Sequence, residues 1–382
     1  MLGTLRYLGR GWTLDDVEEA TGISEETHRR FLHLYILWGS TDFYDKYVTL
    51  PANEEELNDC AAEYGMAGFH GCIGSVDATH IGMLKCWHKL AQYHDSFKLP
   101  MPSRTYNLTA THRRRILSTT EGHPGRWNDK TLVLYDDLAT DLRDGKRYGD
   151  YTFHLFERGD NGTIHMVKYK GAWTIVDAGY LNWPTMVPPS KYYVTNAEQR
   201  FSRWLESLRK DVECTFGILK GRFRILKTGI PLHGVEVCDR IWKTCCALHN
   251  FLLEQDGLDE RWDVTTYLND EGRHDASDVE RYLESTDADY DTSDMGLGND
   301  RDEEMIDDED EEMIDDVENE LEEDSSMEAD NTFIYVRKMP LQAFKQKLIE
   351  HFDILWRQNN IRWPSWKGTD PPPIQSRMTL VE

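Results

Sequence analysis

The chain has 382 residues, 39% of them hydrophobic, with 12 Trp and 18 Tyr, enough to bury a large core and to hold more than one domain. It has no apolar run of about eighteen residues, which excludes a membrane-spanning helix, and its seven cysteines lack framework spacing, which argues for a reducing compartment over a secreted disulfide scaffold. The formal net charge of −26 would speak against nucleic acid were it uniform, but residues 1–257 hold 31 Lys+Arg against 33 Asp+Glu while the remaining 125 hold 12 against 36, so a near-neutral body precedes an acidic tail.

The opening MLGTLRYLGRGW is too short and too polar for a signal peptide, and it begins abruptly, as though an earlier segment were missing. Thr13 with Asp16 caps a helix over LDDVEEA. Gly22 breaks it, and Ser24 starts a second helix whose apolar side is Phe31, Leu34, Tyr35 and Leu37. Two helices about a short Gly-containing turn predict a helix-turn-helix-like unit. Glu25 and Glu26 occupy the first turn where base contacts would be made, and only Arg29 and Arg30 are basic, so a helical packing unit outweighs a DNA reader. Residues 41–70 read as a loop and a short helix, making 1–70 a helical N-terminal region.

Residues 71–84, GCIGSVDATHIGML, predict a buried strand from Ile73, Val76 and Ile81. Asp77 lies near its middle, and a charge there is costly unless paired or metal-bound. Residues 104–111 and 114–120 read as two more strands, split by a basic turn at His112 to Arg114. A Gly/Pro loop over 121–130 ends at Asn128 or Asp129, either of which caps a helix from Lys130. Residues 163–177, with Gly179 and Tyr180 just beyond, hold two strands split at Lys170-Gly171, and Asp177 closes the second. From Ala197 to Leu226, Phe201, Leu205, Leu208, Val212, Phe216 and Leu219 form a helical apolar stripe, with Thr195 and Glu198 as a capping box. Glu213 flanks that stripe among many bases. A further helix, Val235 to Leu253, closes an α/β body.

Residues 256–332 read as an acidic disordered linker. Positions 302–324 hold sixteen acids and no base, and DEEMIDD occurs twice, at Asp302 to Asp308 and Asp310 to Asp316. Within 333–382, residues 341–358 form an amphipathic helix suited to docking on the body or on a partner.

Asp77, Asp177 and Glu213 are the acids of interest. Metal-assisted phosphodiester cleavage needs carboxylates that hold two divalent ions about 4 Å apart, and Mg²⁺ or Mn²⁺ favours oxygen ligands. VDATHI around Asp77, PGRWND at 124–129, VDAGY around Asp177 and VECTFGILKGRFRIL around Glu213, in that order, resemble the DDE domain of PIF/Harbinger-type transposases and their domesticated nuclease relatives; the resemblance extends to LHNFL at 248–252. It implies an RNase H-like domain over 71–255, a mixed sheet with flanking helices, in which Asp77 stands on the first strand, Asp177 on the fourth and Glu213 on the following helix. It further implies cleavage and joining of double-stranded DNA with Mg²⁺ or Mn²⁺, two ions bound by these three acids. A nuclear location and a separate Myb-like DNA-binding partner come with it, and a homo-oligomer is compatible with it.

Asp129 also lies in the family pattern, but Asp177 is preferred as the second ligand because it ends an apolar strand whereas Asp129 sits where a helix cap would. Candidate phosphate contacts are Arg113, Arg114, Arg115, Lys220, Arg222, Arg224 and Lys227. Cys238, Cys245, Cys246 and His249 share one helix and cannot surround a tetrahedral zinc ion, so buried thiols are the better reading. The alternative function is a domesticated, non-cleaving DNA- or chromatin-binding adaptor that uses the acidic tail for protein contacts.

Overall fold

The computed structural model describes residues 1–96, 98–159, 161–257 and 333–361. The acidic repeat region, expected to be disordered, lies outside the described residues. Five helices open the chain: α1 Leu2–Arg10, α2 Leu14–Thr21, α3 Glu25–Gly39, α4 Asp42–Tyr47 and α5 Glu54–Met66. Thr13 and Asp16 form the predicted reciprocal cap of α2, Gly22 ends it in the left-handed region at φ 69°, and the Ser24 side chain caps α3. Residues 41–70 are more helical than the sequence reading allowed, since Asn53 caps a 13-residue α5. Arg29 and Arg30, the only bases at the would-be reading helix, are held by Glu25 and Glu26 on the same helix.

The central sheet is mixed, in the order β3-β2-β1-β7-β8, with β4 added on β2. Its strands are β1 Cys72–Gly82, β2 Ser103–Ala110, β3 Ile116–Thr119, β4 His123–Pro124, β7 Trp173–Ile175 and β8 Met186–Val187. β2 runs antiparallel to β1, and β7 runs parallel to it. The arrangement of mixed sheet and flanking helices is consistent with an RNase H-like domain. α6 His88–Ala91 lies between β1 and β2, and α7 Asp129–Val133 and α8 Asp137–Asp144 follow β4. Of the two caps proposed for α7, Asn128 is the one used: its Oδ1 accepts from the Thr131 amide at 2.8 Å.

β6 Ile164–Lys170 leaves the central sheet and pairs with β5 Thr152–Arg158, which the sequence reading missed, and with β9 Ile334–Tyr335. β5 hides its alternation because Glu157 points inward, where it accepts from the Tyr169 hydroxyl at 2.6 Å and pairs with Lys347. A polar residue at an inward position breaks the pattern by which a strand is recognised.

α9 Asn196–Arg222 crosses the sheet, starting at the predicted Thr195–Glu198 capping box. All six stripe residues, Phe201 to Leu219, are buried, and each apolar side chain so buried contributes about 1.5–3 kcal/mol. Its first half lies under α12 Leu341–Arg357, where Phe352 and Trp356 meet Phe201 and Trp204. Asp353 of α12 is buried against Arg200, at 3.0 Å, and Arg158, at 2.8 Å. The amphipathic C-terminal helix therefore docks on the body. The second half of α9, with α10 Arg224–Thr228, packs in a core shared by α1 and α11 Val235–Gln255. Cys238, Cys245 and Cys246 are buried there. Among the described residues no helix is long and apolar enough to cross a membrane.

Candidate active site

The register of two neighbouring strands brings the first two acids together. Ser75 of β1 pairs in parallel with Ile175 of β7. Asp77 and Asp177 each lie two residues further along, so they stand side by side, and a step of two along extended chain keeps the same face. After β7 the chain turns: the Asp177 carbonyl accepts from the Tyr180 amide at 3.4 Å and its Oδ1 from the Gly179 amide at 3.3 Å. The third acid comes from the middle of α9, between its two packed halves.

The three carboxylates converge on one atom. Arg209 Nη1 lies 3.0 Å from Glu213 Oε1, 3.8 Å from Asp177 Oδ2 and 3.9 Å from Asp77 Oδ2. Arg209 and Glu213 are four residues apart and so share a face of α9. The opposite edge of the guanidinium is held by Glu206, Nε to Oε2 at 3.1 Å and Nη2 to Oε1 at 2.8 Å. Lys210 donates to Glu213 Oε1 at 2.8 Å. Side-chain exposure rises from 9% at Arg209 and 19% at Asp77 to 38% at Glu213 and 48% at Asp177, so the cluster opens outward from a closed floor. A Cβ on Gly179 would lie 3.3 Å from Asp129 Oδ2, which puts a fourth acid at the rim. Glu206, Arg209 and Lys210 escaped the sequence reading as site residues, although their spacing of seven, four and three residues from Glu213 marks one helical face.

Burial, reinforced by the neighbouring Asp129 and Glu213, pushes the Asp77 carboxyl up to about 7, against the opposing pull of the Ala78 amide and Arg209. A raised native pKa favours the protonated acid in the fold. Its contribution to stability is therefore full below about pH 4 and lost as pH rises through 7. Asp77→Asn, neutral at every pH, is expected to outlast the wild type in EDTA at pH 8 by about 2–4 kcal/mol. Thermal melts should show the gap opening between pH 4 and 7 and levelling above; a gap independent of pH would contradict the assignment.

The donors are all oxygen, as Mg²⁺ and Mn²⁺ prefer, and they already surround a cationic group. The oxygens stand at guanidinium distances, longer than the roughly 2.0–2.1 Å of a Mg²⁺ bond. Among the described residues no three His, Cys, Asp or Glu side chains form a group that could hold an ion as they stand. The donor chemistry fits a divalent ion, and the present spacing is that of a carboxylate cage around Arg209.

The expected phosphate contacts divide. Arg113 is buried against Asp59 and Glu63, and Arg114 is fully buried against Asp211 at 2.7 Å. Arg115 reaches Tyr47 and Thr49. Arg222 turns inward to His249, Nη1 to Nδ1 at 3.2 Å, and Lys220 Nζ donates to Thr79 Oγ1 at 2.8 Å. Arg224 and Lys227 remain exposed. Of the expected phosphate contacts, Arg113 and Arg114 are thus committed to buried ion pairs inside the fold. His80, three residues from Asp77, is kept neutral by burial, with Lys98 and Lys220 adding to the effect, its pKa lowered to about 4.

Residues 76–250, a stretch that contains all three acids, match the family model described as DDE superfamily endonuclease. The chain is 23% identical over 262 residues to "Protein ALP1-like" of Arabidopsis thaliana, an alignment covering 66% of this chain and 59% of that protein. It is 23% identical over 262 residues to "Putative nuclease HARBI1" of Bos taurus and 22% identical to that of Homo sapiens, covering 68% of each chain. The chain thus spans less than two thirds of the plant relative. No solved structure matches.

Proposed function

We propose, on the match of residues 76–250 to the DDE superfamily endonuclease model and the similarity to the ALP1-like and HARBI1 proteins, that the chain is a divalent-metal-dependent endonuclease that cleaves, and in a transposition reaction joins, strands of double-stranded DNA. The observation that carries this reading is the convergence of Asp77, Asp177 and Glu213 on a single nitrogen of Arg209. These three acids would hold the ions, and Asp129 stands beside them. A bound pair of Mg²⁺ or Mn²⁺ ions supplies activation of the attacking oxygen and stabilisation of the leaving one.

The chain's own residues set up that chemistry. Strands β1 and β7 fix two carboxylates on a rigid floor. Lys210 and Arg209 orient Glu213, while Glu206 anchors Arg209 from behind. In this reading the protein works in the nucleus and a separate Myb-like protein brings it to its DNA. A second reading, a DNA-binding adaptor that does not cleave, draws on Arg209 itself, which neutralises the acids with no ion required.

Incubating the full chain with labelled duplex DNA in Mg²⁺, Mn²⁺ or EDTA separates the two. Cleavage that needs the metal is expected; DNA binding without cleavage under any of these conditions, and without metal uptake, would favour the adaptor.

A further inference from the structure

We propose that the groove between the C-terminal end of α1 and the α9–α10 junction seats the phosphodiester backbone of duplex DNA next to the carboxylate cluster. This deepens, and rests on, the reading of the domain as one that acts on DNA. The groove encloses about 570 Å³ and is lined by Gly9, Arg10, Trp12, Lys220, Gly221, Arg224, Lys227 and Thr228, four bases and no acid. Such a concentration stands out in a chain of formal net charge −26. Elsewhere on the body, bases such as Arg29, Arg113, Arg158 and Arg200 are taken up by carboxylates. Among the described residues no carboxylate pairs with Arg10, Arg224 or Lys227. Unpaired bases along a groove are the footprint of a polyanion.

The wall formed by α1 adds residues that the sequence did not single out. α1 ends at Gly11 in the left-handed region at φ 66°, and a Cβ there would meet the aliphatic stem of Arg224 at 3.6 Å. A Cβ on Gly9 would lie 3.4 Å from the Arg222 carbonyl. α1 thus packs against the α9–α10 junction at ordinary contact distance, with Arg10 and Arg224 both lining the groove and Trp12 at its edge, its ring under Arg6.

The groove also points at the acids. Lys220 follows Glu213 by seven residues, on the same face of α9 and about 10.5 Å along it, or about three base-pair steps of B-DNA at about 3.4 Å each. Between and beside them lie Gly217 and Gly221, both exposed, with nothing within 4 Å of an added Cβ. The protein's own packing does not call for a missing side chain at either place, and glycine weakens a helix interior. A close-lying backbone does call for it.

The test is fluorescence anisotropy of the full chain with a labelled duplex of about 30 base pairs in EDTA, from about 50 to 200 mM salt. The triple variant Arg10→Gln, Arg224→Gln, Lys227→Gln is compared with Lys46→Gln, Lys168→Gln, Lys191→Gln, which changes net charge equally. With a slope of about −0.9 per phosphate, the wild type should lose about 40-fold more affinity than the groove variant across that range, and the control should follow the wild type. Gly217→Ala and Gly221→Ala should raise the melting temperature yet weaken DNA binding, an opposition that misfolding cannot produce. Groove and control variants with equal slopes, or alanine variants that bind as the wild type does, would overturn the proposal. Metal-dependent cleavage in the same preparations reads out the enzyme assignment separately: its survival alongside an unchanged slope would sink the groove alone.

Discussion

Glu213→Gln is expected to lower metal-dependent cleavage of duplex DNA by about a thousand-fold, with the melting temperature nearly unchanged. A thousand-fold loss corresponds to about 4 kcal/mol of transition-state stabilisation, the scale set by losing one charged ligand or donor aimed at the reacting phosphate. Glu213 keeps 38% exposure at the rim of the cluster, so its amide is accommodated without a buried orphan. The amide still occupies the space beside Lys210 and Arg209, but it lacks the charge that would hold an ion. Glu206→Gln is the informative companion. It loosens Arg209 without removing one of the three proposed ligands, and the expected loss is about ten-fold, close to 1.4 kcal/mol. Steady-state cleavage assays separate the two; a Glu213→Gln protein retaining more than a tenth of the wild-type rate would contradict the assignment.

Asp211→Ala is expected to destabilise the fold by about 3–5 kcal/mol. Asp211 is fully buried, with Oδ2 at 2.7 Å from His112 Nδ1 and Oδ1 at 2.7 Å from Arg114 Nη1. Truncating it leaves the fully buried guanidinium of Arg114 without this carboxylate, the circumstance in which breaking a buried pair is most damaging. The same network holds Arg114 at φ 71°, a left-handed conformation that costs a residue with a Cβ about 1–2 kcal/mol. Urea unfolding should move the midpoint far down while leaving residual activity per folded molecule. A shift under about 1 kcal/mol would show that Arg114 finds other partners.

These two results divide α9 between its roles. Its period was legible in the sequence: the apolar stripe, the Thr195–Glu198 cap and the flanking position of Glu213 all follow from spacing, because helical geometry is local. The pairing of Asp77 with Asp177 depends on a parallel register across 100 residues, which spacing alone does not state; the resemblance of four motifs supplied it. Charge, by contrast, misled. Arg113 and Arg114 read as candidate phosphate contacts in a local window, and only tertiary packing buries them, against Asp59 and Glu63 and against Asp211. Arg222 likewise turns inward because His249, on a different helix, offers it an acceptor.

The second sheet shows the same limit. β5 carries Glu157 at a core position, a choice that makes sense only once Tyr169 and Lys347 are seen to satisfy it. The docking of α12 depends on Asp353 meeting Arg158 and Arg200 from segments about 150–200 residues earlier. Its amphipathic period was plain, but no periodicity says which surface an amphipathic helix will cover.

Asp77, Asp177 and Glu213 are proposed to hold the divalent ions together. Calorimetric titration of Mn²⁺ into metal-free full-length protein, wild type against Asp77→Asn, Asp177→Asn and Glu213→Gln, tests this most directly. Saturable binding is expected in the wild type, weakened at least ten-fold, or about 1.4 kcal/mol, in each variant. Equal Mn²⁺ binding by all four proteins, or none by the wild type, would contradict it.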